Sequence, residues 1–497
     1  MKSIPTMLWR ASLLGLLIIT APGCDLLEQD DPQALGPNDI FGSPSRIDKL
    51  AIGMYDGLQN GEFLGSHALI YSDIRSDDTD PSGFFGGIAL SNATASDGNA
   101  AATWLAGYQS MYTANYLMQE LTRRNGAGLD AAKYNQYIGE AKFIRALCHF
   151  TLVNLYAQPY NFSSDASHPG IPLQLMAVSG EEAYSPAQQL PRASVRDVYA
   201  QIESDLVDAV TLLPADYGDP SSSAARATQD AARGLLARLY LYKGDYANAA
   251  RYSGEIISSN RHELAASPYT PFRSPFPEYT QATTSEMIFY VAMSQNDNPN
   301  TNAAIGEHYS PPPGRGDISV TPYSRVIPAN DKRRTELIAQ KSGRFWTRKY
   351  NAELQSGAPG GANRGARIPI LRYSEILLTR AEALVKQPTW TSTDSSAVIL
   401  LNLVRNRSKP ASSPRYKAST FGTNKQALID AILLERRFEL AFEGHRLYDL
   451  FRNGLGVPAR TGTSPTPAIP WKDNRAVLPI PANEILRNPN LIQNPGY

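Results

Sequence analysis

The chain has 497 residues, of which 42% are hydrophobic and 19% charged, and its 47 basic residues balance 47 acidic ones. A neutral chain of this composition has no basic surface for nucleic acid and is too apolar to remain disordered. We therefore expect a folded core. The chain has 26 tyrosines and 15 phenylalanines, and we expect most of the tyrosines to pack at half-buried positions and a minority to lie on a hydrated binding surface.

The N-terminus has the features of an export signal. Lys2 and Arg10 flank the start of an apolar stretch at residues 11–21, and small residues lead from it to Cys24. The stretch is too short to span a bilayer, so residues 1–23 are predicted to be a cleaved signal peptide. This segment resembles a bacterial lipoprotein signal, and the resemblance implies that Cys24 is lipidated and becomes the first residue of the mature protein.

The cysteine count leaves two alternatives for Cys24. The chain has two cysteines, so Cys24 either carries a lipid or forms a disulfide with Cys148. Cys148 lies within a helical apolar pattern, where a buried free thiol is common, and this favours lipidation. The acidic segment after Cys24 contains Pro and Gly, so residues 24–45 are predicted to be a flexible tether.

The body of the chain is dominated by helical periodicity. Apolar residues recur at three- and four-residue steps, and this spacing predicts amphipathic helices. The predicted helices cover residues 138–156, 195–213, 231–243, 246–257, 370–385, 397–407 and 426–442. Gly244-Asp245 separates two of them so closely that they form a hairpin of the tetratricopeptide type. Residues 46–497 are therefore predicted to be one mostly helical, all-α domain, an array of tetratricopeptide-like pairs with a continuous core.

Two long stretches, at about 61–102 and 259–367, lack sustained helical periodicity. Irregular loops on a rigid scaffold are a usual way to build a binding surface, and rings on them can stack against sugars. The residues predicted to contact a ligand are Tyr71, Asp77, Asp78, Phe84, Phe85, Tyr309, Tyr323 and Trp346. The alternative is that most of these rings hold the loops against the scaffold.

Motifs for cofactors and catalysis are absent from the sequence. The six histidines contain no pair at helical metal-ligand spacing, so no zinc site is predicted, and no phosphate-binding loop or nucleophile elbow occurs. An aspartate cluster precedes Pro81 and contains Asp73, Asp77, Asp78 and Asp80. A solvated turn is the favoured interpretation, while a glycosidase pair, a Ca²⁺ site without an EF-hand pattern and a sugar contact remain open. No cofactor is predicted.

An ordered series of motifs resembles the SusD/RagB family. The motifs are Gly139-Glu140-Ala141-Lys142-Phe143-Ile144-Arg145-Ala146, Gly170-Ile171-Pro172-Leu173, Arg372-Tyr373-Ser374-Glu375, the run from Glu435 to Arg446 with Tyr448-Asp449-Leu450, Leu478-Pro479-Ile480-Pro481, and the tail Asn494-Pro495-Gly496-Tyr497. They extend over nearly the whole mature chain. The charged residues between Glu435 and Arg446 are expected to tie their helix to neighbouring elements rather than to perform chemistry.

The resemblance implies a non-enzymatic lipoprotein of the outer membrane, lipid-anchored and exposed at the cell surface. Such a protein captures oligosaccharides and delivers them to a SusC-like TonB-dependent transporter. Two alternatives are a peptide-binding receptor of the same fold and a surface glycoside hydrolase.

Overall fold

The computed structural model describes residues 36–272, 284–300, 302–351, 354 and 362–497. Cys24 and the predicted signal peptide lie outside the described residues, so the lipidation site stays a prediction. Within the described ranges, no helix is both long enough and apolar enough to cross a membrane.

Helices form most of the regular structure. They are α1 (Pro37–Phe41), α2 (Pro44–Asp56), α3 (His67–Ile74), α4 (Gly86–Ala89), α5 (Gly98–Arg123), α6 (Ala131–Tyr156), α7 (Val195–Leu212), α8 (Pro220–Ala225), α9 (Gln229–Lys243), α10 (Tyr246–Ser258), α11 (Ile305–His308), α12 (Thr321–Val326), α13 (Lys332–Leu337), α14 (Tyr373–Lys386), α15 (Ser396–Ser408), α16 (Ala418–Phe421), α17 (Lys425–Glu439), α18 (Arg446–Arg452) and α19 (Ala482–Arg487). The seven predicted helices are therefore confirmed, with ends that shift by up to seven residues.

The helix boundaries follow from capping residues. The Asp130 carboxylate accepts a hydrogen bond from the Lys133 amide and starts α6, which is why this helix begins seven residues before the predicted position. Gly244 ends α9 in the left-handed conformation, with φ at 78°, and the Asp245 side chain then caps α10. The predicted hairpin thus has a two-residue turn that consists of the two cap residues.

The long helices stack as a continuous array. Helix α6 packs between α5 and α7, α9 packs between α7 and α10, and α14 contacts α10, α15 and α17. The α5 and α6 backbones approach closely because Gly107 has no side chain, and a Cβ there would lie 2.7 Å from a Leu152 methyl carbon. This arrangement confirms the predicted mostly helical array with a shared core.

Short strands hold the irregular segments. They are β1 (Asp80–Pro81), β2 (Met287–Val291), β3 (Ile318–Ser319), β4 (Ile338–Lys341), β5 (Arg344–Thr347) and β6 (Ile368–Arg372). The antiparallel pairs are β1 with β3, β2 with β6, and β4 with β5. Because β1 pairs Asp80 with Ser319, the first predicted insertion is hydrogen-bonded directly to the second.

The ordered domain starts before residue 46. Residues 37–41, within the predicted tether, form helix α1, and α2 begins at Pro44. Phe41 is buried and packs edge-on against Tyr116, with ring centroids 5.9 Å apart. Burial of this ring holds the segment on α5, so the predicted tether boundary is placed too late.

Candidate ligand-binding surfaces

The charged motif around α17 forms a buried ion network. Arg372 donates to Glu443 at 2.7 Å, to Glu286 at 2.7 Å and to Glu439 at 3.1 Å. Lys349 donates to Glu443 at 2.5 Å, and all five side chains are buried. The network connects β2, β6 and the segment after β5 with α17, which confirms that these charges hold the helix to its neighbours.

The electrostatics of the network favour the charged forms. Burial opposes the charge on Glu439, but the nearby Arg407 and Arg372 outweigh it and hold the pKa of the carboxyl below its usual range. The same balance, with Arg372 and Lys349, lowers the pKa of Glu443. These carboxylates are therefore ionised and fully engaged within the protein.

Asp77 and Asp78 are bound by arginines of the same motif. Arg446 donates to Asp77 at 2.8 Å, and Arg437 donates to Asp77 at 2.9 Å and to Asp78 at 2.6 Å. Burial opposes ionisation of Asp77, but these arginines lower its pKa. Both carboxylates thus contribute to docking the first insertion on the segment from α17 to α18, and the favoured solvated turn is not what the structure shows.

The remaining aspartates of the cluster are also engaged. Asp80 accepts hydrogen bonds from Arg344 at 2.5 Å and from the Thr463 amide at 2.7 Å. Asp73 is bonded to Tyr309 and to the Gly444 amide. Among the residues that the structure describes, no group of three or more His, Cys, Asp or Glu side chains is arranged to hold a metal ion.

Five of the predicted ligand-binding rings lie in the core. Tyr71, Phe85, Tyr309, Tyr323 and Trp346 are each at most 2% exposed. Their polar atoms bond inside the protein: the Tyr323 hydroxyl donates to the Phe438 carbonyl at 2.8 Å, and the Trp346 indole donates to the Lys341 carbonyl at 3.0 Å. In this structure these rings hold the insertions on the scaffold and offer no face to a ligand.

Phe84 is the predicted ring that faces solvent. It is 47% exposed, next to fully buried Phe85, whose ring meets it edge-on at 5.0 Å. The Arg315 guanidinium lies 4.3 Å from the Phe84 ring centroid, and the His308 ring lies 5.5 Å away. Phe84 and Arg315, which we call the Phe84 surface, bring both insertions together and combine an apolar ring with a donor group.

A second aromatic surface lies on α5. Trp104, Tyr108 and Tyr112 recur every four residues and line one side of a cavity of about 340 Å³. Tyr112 is 39% exposed, and its ring is stacked parallel to that of Tyr116. Polar side chains complete the lining: Gln109, Gln174, Gln188, Glu484 and Asn488. We call this site the α5 groove.

The α5 groove is suited to a neutral, flat and hydroxyl-rich ligand. Its rings provide apolar faces, its amides both donate and accept hydrogen bonds, and none of the described residues that line it is basic. Sequence reasoning missed the groove because it looked for rings in the insertions. The four-residue aromatic spacing between Trp104 and Tyr116 was the available signal.

Comparisons with known proteins indicate the family. A model of the SusD family matches residues 319–497, and a model described as starch-binding associating with outer membrane matches residues 25–241. The two models together span most of the chain and support a SusD/RagB family protein. The description of the second model also agrees with the prediction of a binding protein, and it associates that family with the outer membrane.

Relatives and solved structures agree over nearly the whole chain. A SusD-like protein of Formosa agariphila is 28% identical, over 97% of this chain and 98% of its own. The crystal structure of a SusD superfamily protein from Bacteroides vulgatus has a TM-score of 0.77 at 26% identity and covers 91% of this chain and 99% of that one. A laminarin-binding SusD-like protein has a TM-score of 0.70 at 22% identity, over 92% of this chain and 100% of its own, and it shows the fold alone.

Proposed function

We propose that the protein is a lipid-anchored, surface-exposed receptor that captures oligosaccharides and delivers them to a SusC-like TonB-dependent transporter. The family models support the class of receptor, and the lipoprotein-like signal ending at Cys24 supports the anchor. The ligand contacts are assigned to the Phe84 surface and the α5 groove.

One observation carries the choice of these surfaces. Phe84 is 47% exposed and Tyr112 is 39% exposed, and each is the most exposed ring of its surface. An exposed ring beside polar groups offers an apolar face for stacking together with hydrogen-bonding partners at its edge. A sugar ring has an apolar face for stacking and hydroxyls for the neighbouring amides and guanidinium, so a neutral glycan matches both surfaces.

The expected contribution of each ring follows from its exposed area. A Phe or Tyr side chain buries roughly 150–250 Å² when fully covered, so covering the exposed half of one removes roughly 100 Å² from water. At about 25 cal/mol per Å², this gives about 2.5 kcal/mol, or roughly a 70-fold change in Kd, as an upper limit.

Calorimetric titration of the purified protein against panels of neutral oligosaccharides and of extended peptides tests the proposal. We expect saturable heat from a glycan, with weaker binding in Phe84→Ala or Tyr112→Ala. Matched controls are Leu90→Ala and Leu105→Ala, which remove exposed apolar side chains close in sequence that belong to neither surface. Unchanged affinity in both aromatic variants would exclude both surfaces.

The same titrations separate the alternatives. If peptides bind and no glycan does, the protein is still a receptor, but its cargo is a peptide. A glycoside hydrolase would release product, which analysis of each finished mixture detects. Asp77 and Asp78 are held by Arg437 and Arg446, so these carboxylates are not available as a catalytic pair in this structure.

A further inference from the structure

Two buried histidines face each other beneath the Phe84 surface. The Nε2 atoms of His67, on α3, and His308, on α11, are 3.3 Å apart. His67 Nδ1 lies 2.7 Å from a Glu62 carboxylate oxygen, and His308 Nδ1 lies 2.9 Å from an Asp317 carboxylate oxygen. His67 is 3% exposed and His308 is completely buried.

The positions of the hydrogen atoms follow from these distances. A carboxylate only accepts, so each Nδ1 must carry a hydrogen to make its short contact. In two neutral rings the Nε2 atoms would then both be unprotonated, and two lone pairs would oppose each other at 3.3 Å. The arrangement becomes favourable when one Nε2 carries an additional hydrogen and donates it to the other.

We propose that His67 and His308 bind one proton between their Nε2 atoms, and that this proton locks the segment from α11 to Asp317 onto α3. The pair thereby carries one positive charge. It is a positioning pair for the Phe84 surface, because it supports the rings of Phe84 and Phe85 rather than contacting a ligand itself.

The surrounding charges favour this state. The titratable and charged groups that face the pair are Glu62 before α3, Tyr71 on α3, and Arg315 and Asp317 before β3. With the shared proton, two carboxylates are balanced by Arg315 and the histidine pair, whereas without it the buried cluster keeps a net negative charge. The Glu62 side chain is 38% exposed and gives the cluster access to water.

The division of the proton between the rings is also defined. Burial lowers the pKa of His308 to about 4, so this ring is the neutral acceptor. The hydrogen bond with His67 lowers the pKa of Glu62. In the proposed state the shared hydrogen therefore lies on Nε2 of His67 and is donated to Nε2 of His308.

The pair connects the elements that form the Phe84 surface. The Phe85 ring lies 6.0 Å from His67 and 5.2 Å from His308, and Phe84 packs against His308. The Ser82 hydroxyl donates to Asp317 at 3.2 Å, so the Phe84 turn is tied to the same carboxylate. When the proton is removed, the lone pairs of the two Nε2 atoms face each other. Their repulsion loosens the contacts of Phe84, Phe85 and Ser82. This loosening would make ligand capture sensitive to pH, a consequence that rests on the proposed function.

Selective ¹⁵N labelling of histidine tests the proton directly, without a ligand. At pH 7 we expect both nitrogens of His67 to be protonated and Nε2 of His308 to be unprotonated, with His67→Gln and His308→Gln assigning the signals. Two neutral rings, or two fully charged rings, would overturn the proposal. This measurement uses the unmodified protein and does not depend on how the variants fold.

Hydrogen exchange tests the mechanical consequence. After correction for intrinsic rates, peptides spanning residues 82–90 and 305–317 should exchange roughly tenfold faster at pH 9 than at pH 7. In His308→Gln, whose amide can donate or accept, this pH response should be lost. His168→Gln, at an imidazole bonded to Ser163 and the Gln158 carbonyl, should retain it. If hydrogen exchange in His308→Gln increases from pH 7 to pH 9 as much as it does in the wild type, the proposed lock is refuted. Failure of glycan binding alone would refute only the proposed function.

Discussion

Asp73 is a buried carboxyl to which the described part of the chain brings no cationic side chain. It is 2% exposed, accepts a hydrogen bond from the Gly444 amide at 3.0 Å, and lies 3.1 Å from the Tyr309 hydroxyl. Burial, with smaller contributions from Asp78 and Glu443, raises its pKa from 3.8 to about 8, against the hydrogen bonds that lower it. Asp73 is therefore protonated in the folded protein at neutral pH.

The sign of the stability effect follows from this raised pKa. Between about pH 4 and 8 the folded state binds one more proton at Asp73 than the unfolded chain, so the free energy of unfolding falls as the pH rises. The slope is about 1.4 kcal/mol per pH unit, and integration over the interval gives a change of about 6 kcal/mol in the free energy of unfolding as an upper limit. Asp73→Asn removes this term, because an amide accepts from Gly444, donates to Tyr309 and does not ionise.

Urea unfolding of both proteins at pH 5, 6, 7 and 8 measures the effect. Other titrating groups contribute equally to both proteins, so their contributions cancel when the two free energies of unfolding are subtracted. We expect the unfolding free energy of Asp73→Asn minus that of the wild type to increase by about 1.4 kcal/mol for each unit between pH 5 and 7. Asp430→Asn, at an exposed aspartate of α17, serves as the matched control. A difference for Asp73→Asn that stays constant over this range would refute the reasoning.

Three further predictions concern the anchor, the ion network and the ligand. Cys24→Ser should move the protein from the membrane pellet to the soluble fraction after cell lysis, and persistence in the pellet would contradict anchoring at this residue. Glu443→Gln leaves the buried charges of Arg372 and Lys349 undercompensated and should reduce the unfolding free energy by about 3–5 kcal/mol in urea, whereas exposed Glu263→Gln should change it little. If one glycan contacts both surfaces, the double variant Phe84→Ala and Tyr112→Ala should weaken its binding by about the product of the two single effects, whereas two separate sites would each show only one of them, and calorimetry distinguishes these results.

Helix α7 was predicted from its apolar stripe, since Val195, Val198, Ile202 and Leu206 are buried on one face. Helix α5 was missed although it has 26 residues, because both sides of it are packed and small or polar residues such as Thr103, Gly107 and Ser110 are buried. Periodicity detects a contrast between a buried and an exposed face, and such a helix has little contrast to detect.

The predicted site differs from the observed surfaces for a related physical reason. An irregular segment lacks the hydrogen-bond ladder of a helix or sheet, so side chains must supply the interactions that order it. Tyr309 and Tyr323 do this: each buries its ring and bonds its hydroxyl inside the protein, one to Asp73 and one to the Phe438 carbonyl. Aromatic residues in long insertions are therefore mainly anchors. Rings left exposed, such as Phe84 and Tyr112, can be recognised only once the anchors have been placed, and this requires the contacts between distant segments that the fold alone provides.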